Sequence, residues 1–148
     1  MIATIALAIL LNSPGNDKPA IDAACKQIAV ASQSKNWKKL GTLCTSDWVQ
    51  HTHDGQTIHL SDLEKNLAPL SDLKFSYKVL DVKSNGSKAD CRVFWSVKAT
   101  YMDAKGKHTY QGDDTEIDTF KKVGGKWLQS AVKELTVSAK IDGKLARS

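Results

Sequence analysis

Residues 88–102 read KADCRVFWSVKATYM. Ala89, Cys91, Val93, Trp95, Val97, Ala99 and Tyr101 fall on one side of an extended chain, and Asp90, Arg92, Ser96 and Lys98 on the other. Alternation at a period of two over this length predicts a long β-strand with one buried face. Such a strand needs hydrogen-bonded neighbours, and adjacent segments in the sequence are the first place to look. Upstream, Asn85-Gly86 is a hairpin signal. Before it, LKFSYKVLDVK (73–83) alternates through Leu73, Phe75, Tyr77 and Val79, then shifts phase at Leu80 and Val82. A phase shift inside a strand predicts a β-bulge. Downstream, Asp103-Ala104-Lys105-Gly106 turns into a strand over about 108–122, and Gly124-Gly125 turns into a fourth, KWLQSAVKELTVSAKI. Three turns joining four long strands predict an antiparallel meander. The tail from Asp142, residues 142–148, reads as a frayed, flexible end.

The first half has a different period. Asp17-Lys18-Pro19 opens a helix, since Pro suits the first turn. Ile21, Ala24, Cys25, Ile28 and Ala31 recur at helical spacing and form one apolar face. After the polar run Ser32 to Asn36, Trp37, Leu40, Leu43 and Cys44 share the face of a second helix, which Gly41 keeps short. Ser61-Asp62-Leu63-Glu64 has the form of a capping box, predicting a third short helix over 62–68 that Pro69 ends.

The chain has 148 residues, 41% apolar and 25% charged, as expected for one globular domain. Its net charge is +5, but the lysines are scattered and there are only two arginines, Arg92 and Arg147. That is a solvated basic surface rather than a nucleic-acid footprint. Residues 2–11 are uncharged and almost wholly apolar, followed by Asn12-Ser13-Pro14-Gly15. Ten residues are too few to span a bilayer but fit the core of a signal peptide over 1–15. This predicts export to the periplasm or medium, although no Lys or Arg precedes the run; without cleavage the chain would be cytoplasmic. No later stretch is apolar enough for a membrane span, so no membrane association is expected after cleavage. Cys25, Cys44 and Cys91 lack the spacing of a zinc or thioredoxin motif. In an exported chain Cys25 would pair with Cys44; the alternative is three buried thiols acting as small hydrophobes.

Helix, short helix, small hairpin, capped helix and four long antiparallel strands follow the order of the nuclear transport factor two-like fold. LGTLCTSDWVQHTHDGQTIHLSDLEKNL (40–67) resembles that superfamily's short helix, aromatic-rich segment, Asp-Gly turn and second helix. FKKVGGKWLQSAVKEL (120–135) resembles its final hairpin. The resemblance covers about 20–140, within a domain bounded at 17–141. It implies an α+β cone: a bent antiparallel sheet of four to six strands around a long N-terminal helix, with two short helices. It also implies a pocket at the open end of the cone, but no particular activity. It is closest to small single-domain members of unknown function, related to polyketide cyclase-like and ketosteroid isomerase-like proteins.

WVQHTHDGQTIHL (48–60) carries three of the four histidines. A two-residue Asp54-Gly55 turn would pair His53 with Gln56 and His51 with Ile58. Val49, His51, His53, Gln56, Ile58 and Leu60 would then face inward, and His59 outward. Three histidines could not converge on a metal, and none is expected. An inward His51 would suit acid/base work or be satisfied by a backbone group. In GDDTEID (112–118), Asp114, Glu116 and Asp118 share a face with Phe120. Three carboxylates on one face would ordinarily be solvated, which leaves Asp113, beside Ile117, as the candidate base. Asp90 and Arg92 fall on the polar face of their strand, unlike the buried Asp-Arg-Asp of epoxide-opening relatives. Trp48, Tyr77, Trp95 and Tyr101 are the candidate ligand-lining aromatics. No cofactor motif is present. The expected function is therefore non-enzymatic binding of a small molecule in an apolar pocket. The alternatives are a cofactor-free isomerase, dehydratase or cyclase using His51 or Asp113, or a module for interaction or homodimerisation.

Overall fold

The computed structural model describes residues 17–146; the candidate signal peptide lies outside them. Helix α1 (Lys18–Gln33) starts at Asp17 with Pro in its first turn and buries Ile21, Cys25, Ile28, Ala29, Ala31 and Ser32. Helix α2 (Trp37–Leu43) is capped by Asn36, whose Oδ1 accepts from Lys39 N at 3.0 Å, and buries Leu40. A hairpin of β1 (Cys44–His51) and β2 (Thr57–His59) leads into helix α3 (Leu60–Leu67). Four long strands follow: β3 (Ser71–Ser84), β4 (Lys88–Asp103), β5 (Gly106–Val123) and β6 (Lys126–Ile141).

The meander is as predicted, and it is extended at one edge. β3 to β6 pair antiparallel in sequence order, while β1 joins β6 in parallel and carries β2 outside it. The sheet is therefore mixed. Between Cys44 and Val49 the β1–β6 register shifts, and Trp48 turns into the core, where it is 4% exposed. The bulge predicted at Leu80 is present between Val79 and Asp81. The tail differs from expectation. Asp142-Gly143 turns, and β7 (Lys144–Leu145) returns along Lys140 and Ile141. Asp142 holds the turn by accepting from Thr109 N at 2.9 Å and bonding His108 Nδ1 at 2.7 Å.

The sheet curves around α1. Cys25 and Ile21 meet Ala89, Cys91, Val93 and Phe120 in one apolar cluster, all buried. Helix α1 is also tied to β3, since Phe75 N donates to Gln33 Oε1 at 3.0 Å and Tyr77 Oη donates to the Asp22 carbonyl at 3.1 Å. All three cysteines are buried and free. The predicted Cys25–Cys44 pairing is not seen: the thiol beside Cys25 is Cys91, because the inner face of α1 lies on β4. Helix α3 begins earlier than predicted. His59 takes the cap position, and the Asp62 carboxylate accepts from His59 N at 2.9 Å, so Asp62 takes the part expected of Glu64.

Candidate functional site

Between α1, α3 and the concave side of the sheet lies a cavity of about 510 Å³. Leu63, Leu67 and Leu70 close one side and Phe75, Val97, Val137 and Ile141 the other. Trp48, Trp95, Tyr101 and Tyr110 bring aromatic surface, while Gln50, Asp114, Glu116, Gln129 and Glu134 bring polar groups. No Lys, Arg or His is among its lining residues.

The polar floor arises from the pairing of β4 with β5. Cys91, Val93 and Trp95 point into the core, and their partners are Asp118, Glu116 and Asp114. The face expected to be solvated is therefore the inner one. Asp118 is 0% exposed and Glu116 is 7% exposed. Asp118 Oδ2 accepts from Gln129 Nε2 at 3.0 Å and from Trp95 Nε1 at 3.3 Å, and Trp48 Nε1 donates to Gln129 Oε1 at 2.8 Å. One indole and one amide thus hold Oδ2 of Asp118, with the Trp48 indole fixing the amide, while Oδ1 receives no N–H or hydroxyl donor.

Glu116 sits between Asp114 and Asp118 and shares hydrogen bonds with both. Burial, reinforced by the charges of Asp118 and Asp114, raises its carboxyl well above the ordinary range. Burial also raises Asp114 to about 6, with the Glu134 charge adding and a hydrogen bond from Glu116 opposing. Asp118 is raised by burial to about 6 against hydrogen bonds from Glu116, Trp95 and Gln129. The row holds protons because like charges this close cannot all ionise in an apolar site. Glu134 is handled differently. Its Oε1 accepts from Gln50 Nε2 at 2.6 Å, and its Oε2 accepts from His53 N at 3.1 Å. Tyr110 lies over Gly112: a Cβ at residue 112 would fall 2.5 Å from the phenol oxygen. Burial and the charges of Asp114, Asp113 and Glu134 raise the phenol's pKa.

Of the residues expected to act, His51 is exposed on the outer side of its hairpin, with Nδ1 3.5 Å from Thr57 Oγ1. The loop explains the difference. Gly55 adopts φ +88°, Gly55 N donates to the Thr52 carbonyl, and Thr52 N donates to the Gln56 carbonyl. That is a three-residue loop, a turn followed by a left-handed glycine, so His51 pairs with Thr57 and Gln50 with Ile58. One residue of slip reverses every side chain, and Gln50 rather than His51 meets the cavity. His53 lies beside Glu134, its Nδ1 3.5 Å from Oε2, and His59 caps α3. The three histidines do not converge.

Asp113 contributes to the cavity wall, but its carboxylate is bound by Ser96 Oγ at 2.6 Å and Gln111 Nε2 at 3.1 Å. Ser96 pairs with Asp113 on the face opposite Trp95 and Asp114. Trp48, Trp95 and Tyr101 are among the residues lining the cavity; Tyr77 is not, its hydroxyl being held at Asp22. Tyr110, Asp114, Glu116 and Glu134 were not expected there. The available signal was parity, since Tyr110, Gly112, Asp114, Glu116 and Asp118 alternate in phase with the core residue Phe120. No group of three or more His, Cys, Asp or Glu among the described residues could hold a metal ion.

No family model matches the chain, and no curated protein matches it. Solved structures do. A conserved protein from Planctomyces limnophilus superposes with a TM-score of 0.70 at 18% identity, covering 80% of this chain and 94% of that one. A type 2 hexachlorocyclohexane dehydrochlorinase, LinA, gives 0.69 at 12% identity, over 89% and 94%. An uncharacterised cystatin-like protein from Caulobacter vibrioides gives 0.65 at 12% identity, over 90% and 92%. The chain has the nuclear transport factor two-like, or cystatin-like, α+β cone fold.

Proposed function

We propose that the chain is a small-molecule-binding domain whose ligand occupies the cavity between α1, α3 and the sheet. The observation that carries this is a volume of about 510 Å³ with apolar and aromatic walls and a few convergent polar groups, the usual form of a ligand site. Apolar walls supply affinity through burial, and Gln50, Gln129 and the carboxyls supply orientation. A thermal-shift screen with compounds of cavity size tests it. Binders should raise the melting temperature of the natural chain and lose that effect in Leu67→Trp, which fills the wall. Equal shifts in both proteins would place binding elsewhere.

A second reading is acid–base catalysis, favoured by Asp114. It is a cavity carboxyl raised by burial to about 6, with the Tyr110 hydroxyl in the same wall. Such a base works near neutral pH. The LinA structure bears the name of a dehydrochlorinase, and an elimination of that kind needs a base. Asp114 would take the proton, and Tyr110 would donate a hydrogen bond to the developing charge. Deuterium exchange at the acidic C–H positions of cyclic ketones, followed by NMR, tests this. Exchange should be lost in Asp114→Asn and rise with an apparent pKa near 6; exchange unaffected by D114N would exclude the role.

A further inference from the structure

Resting on the binding function proposed above, we infer that the ligand of the cavity is an organic cation, an ammonium group carried on an apolar or aromatic body.

The carboxyl row alone would not carry this. Two further observations do. Glu116 is 7% exposed and lines the cavity, yet receives no N–H or hydroxyl donor from any described residue outside the carboxyl row. Asp118 behind it is 0% exposed and has one oxygen with no such donor. Buried carboxyl groups are normally met by a cation or by several N–H donors. Here the chain, which carries an excess of positive charge overall, places no Lys, Arg or His in the cavity wall. His53 is the nearest cationic candidate to Glu134, but its side chain is 52% exposed and outside the lining.

A metal ion does not fit the gap. No group of three or more metal-ligating side chains with suitable geometry exists among the described residues. Asp114, Glu116 and Asp118 are spaced along one strand, so Asp114 and Asp118 stand about 13 Å apart at the backbone. An ammonium group needs no such convergence. It can take one or two carboxylates and complete its surroundings with aromatic rings. Trp48, Trp95, Tyr101 and Tyr110 provide them in the same wall. The indole N–H groups of Trp48 and Trp95 are already given to Gln129 and Asp118, so what these residues have left to offer a ligand is ring surface. A carboxylate ligand would meet the acidic side chains of the wall and no cation.

Isothermal calorimetry at neutral pH with matched probes tests this. One series is tryptamine, tryptophol and indole-3-acetate, and a smaller one is phenethylamine, 2-phenylethanol and phenylacetate. In each, the amine should bind about tenfold or more tighter than the alcohol, the range expected of a hydrogen bond to a charged group, and the acid should not bind. Glu116→Gln should reduce the amine-to-alcohol ratio at least threefold. The comparison on the natural chain stands by itself if E116Q does not fold. Alcohols that bind as tightly as their amines would overturn the cationic ligand and leave the binding function standing. So would an absence of any amine binder when the thermal-shift screen yields neutral ones. If neither amines nor neutral compounds bind, the binding function falls too.

Discussion

Glu116 and Glu134 stand directly opposite each other across the β5–β6 ladder, and both line the cavity. Like charges in that position repel. The chain accommodates them unequally: Glu134 is hydrogen-bonded by Gln50 and the His53 backbone, while burial raises the Glu116 carboxyl well above the ordinary range.

Stability should therefore be greatest in mild acid. Asp114 and Asp118 titrate near 6 in the folded chain, above the ordinary 3.8. The folded state thus holds protons that the unfolded state has released. Their stabilisation is complete below the unfolded value and is lost as pH rises through about 6. The groups that face them, Glu116 and Glu134 on the sheet and Cys25 on α1, supply no positive charge. His108 runs in the same direction, because Asp142 and Asp103 raise it. Asp47, Asp54, Asp103 and Asp142 are lowered by their hydrogen bonds, and their contribution is lost only as pH falls below the ordinary carboxylate value. Thermal melts should peak near pH 4 and decline as pH rises through about 6. A melting temperature that climbs steadily from pH 5 to pH 8 would contradict this.

Asp118→Asn should stabilise the ligand-free protein. The amide oxygen can still accept from Trp95 and Gln129, and the new NH2 group can donate towards Glu116. No charge then needs to be kept in an apolar site. The gain should be on the order of 1–3 kcal/mol at pH 7.5 and much smaller at pH 4.5, where the natural residue is protonated. Chemical denaturation at the two pH values measures it; equal effects at both would show that the Asp118 charge costs nothing.

Gly112→Ala should move a side chain without unfolding the sheet. The new Cβ would meet the Tyr110 phenol oxygen at 2.5 Å, and the phenol is the far end of a side chain that can swing away. Stability should change by less than about 1 kcal/mol, since Ala is no worse than Gly in a strand. Cavity ligands should bind more weakly, and Tyr110→Phe should reproduce part of that loss. Unaltered affinity in both variants would remove Tyr110 from ligand contact.

Neighbouring positions on β1 should respond very differently. His51→Ala should change stability by no more than about 0.5 kcal/mol, as exposed positions usually do, and leave cavity binding intact. Gln50→Ala should cost about 1–3 kcal/mol, because it takes a hydrogen-bond donor from the half-buried Glu134 carboxylate. Similar effects at both positions would argue against the observed register.

The strand order β3 to β6, the bulge at Leu80 and the inner face of α1 were legible because each is a periodicity repeated over many residues. The hairpin around Asp54-Gly55 was not. Two-residue and three-residue loops share the same Asp-Gly signal, and they differ in which way His51 points. The carboxyl face was misjudged for another reason. Charge ordinarily marks the solvated side of a strand, and the parity with Phe120 outweighs it only once the cross-strand partners Trp95, Val93 and Cys91 place Asp114, Glu116 and Asp118 inside. The parallel docking of β1 on β6 joins segments about eighty residues apart, beyond the reach of local pattern.

That docking also decides which edges the sheet presents to other chains. With β1 and β2 covering β6, the one long open edge among the described residues is β3. It carries exposed Lys74, Lys78 and Lys83, and its bulge at Leu80 interrupts the regular ladder. A strand added there would have to align with a kinked, lysine-studded border, which guards the fold against edge-to-edge aggregation.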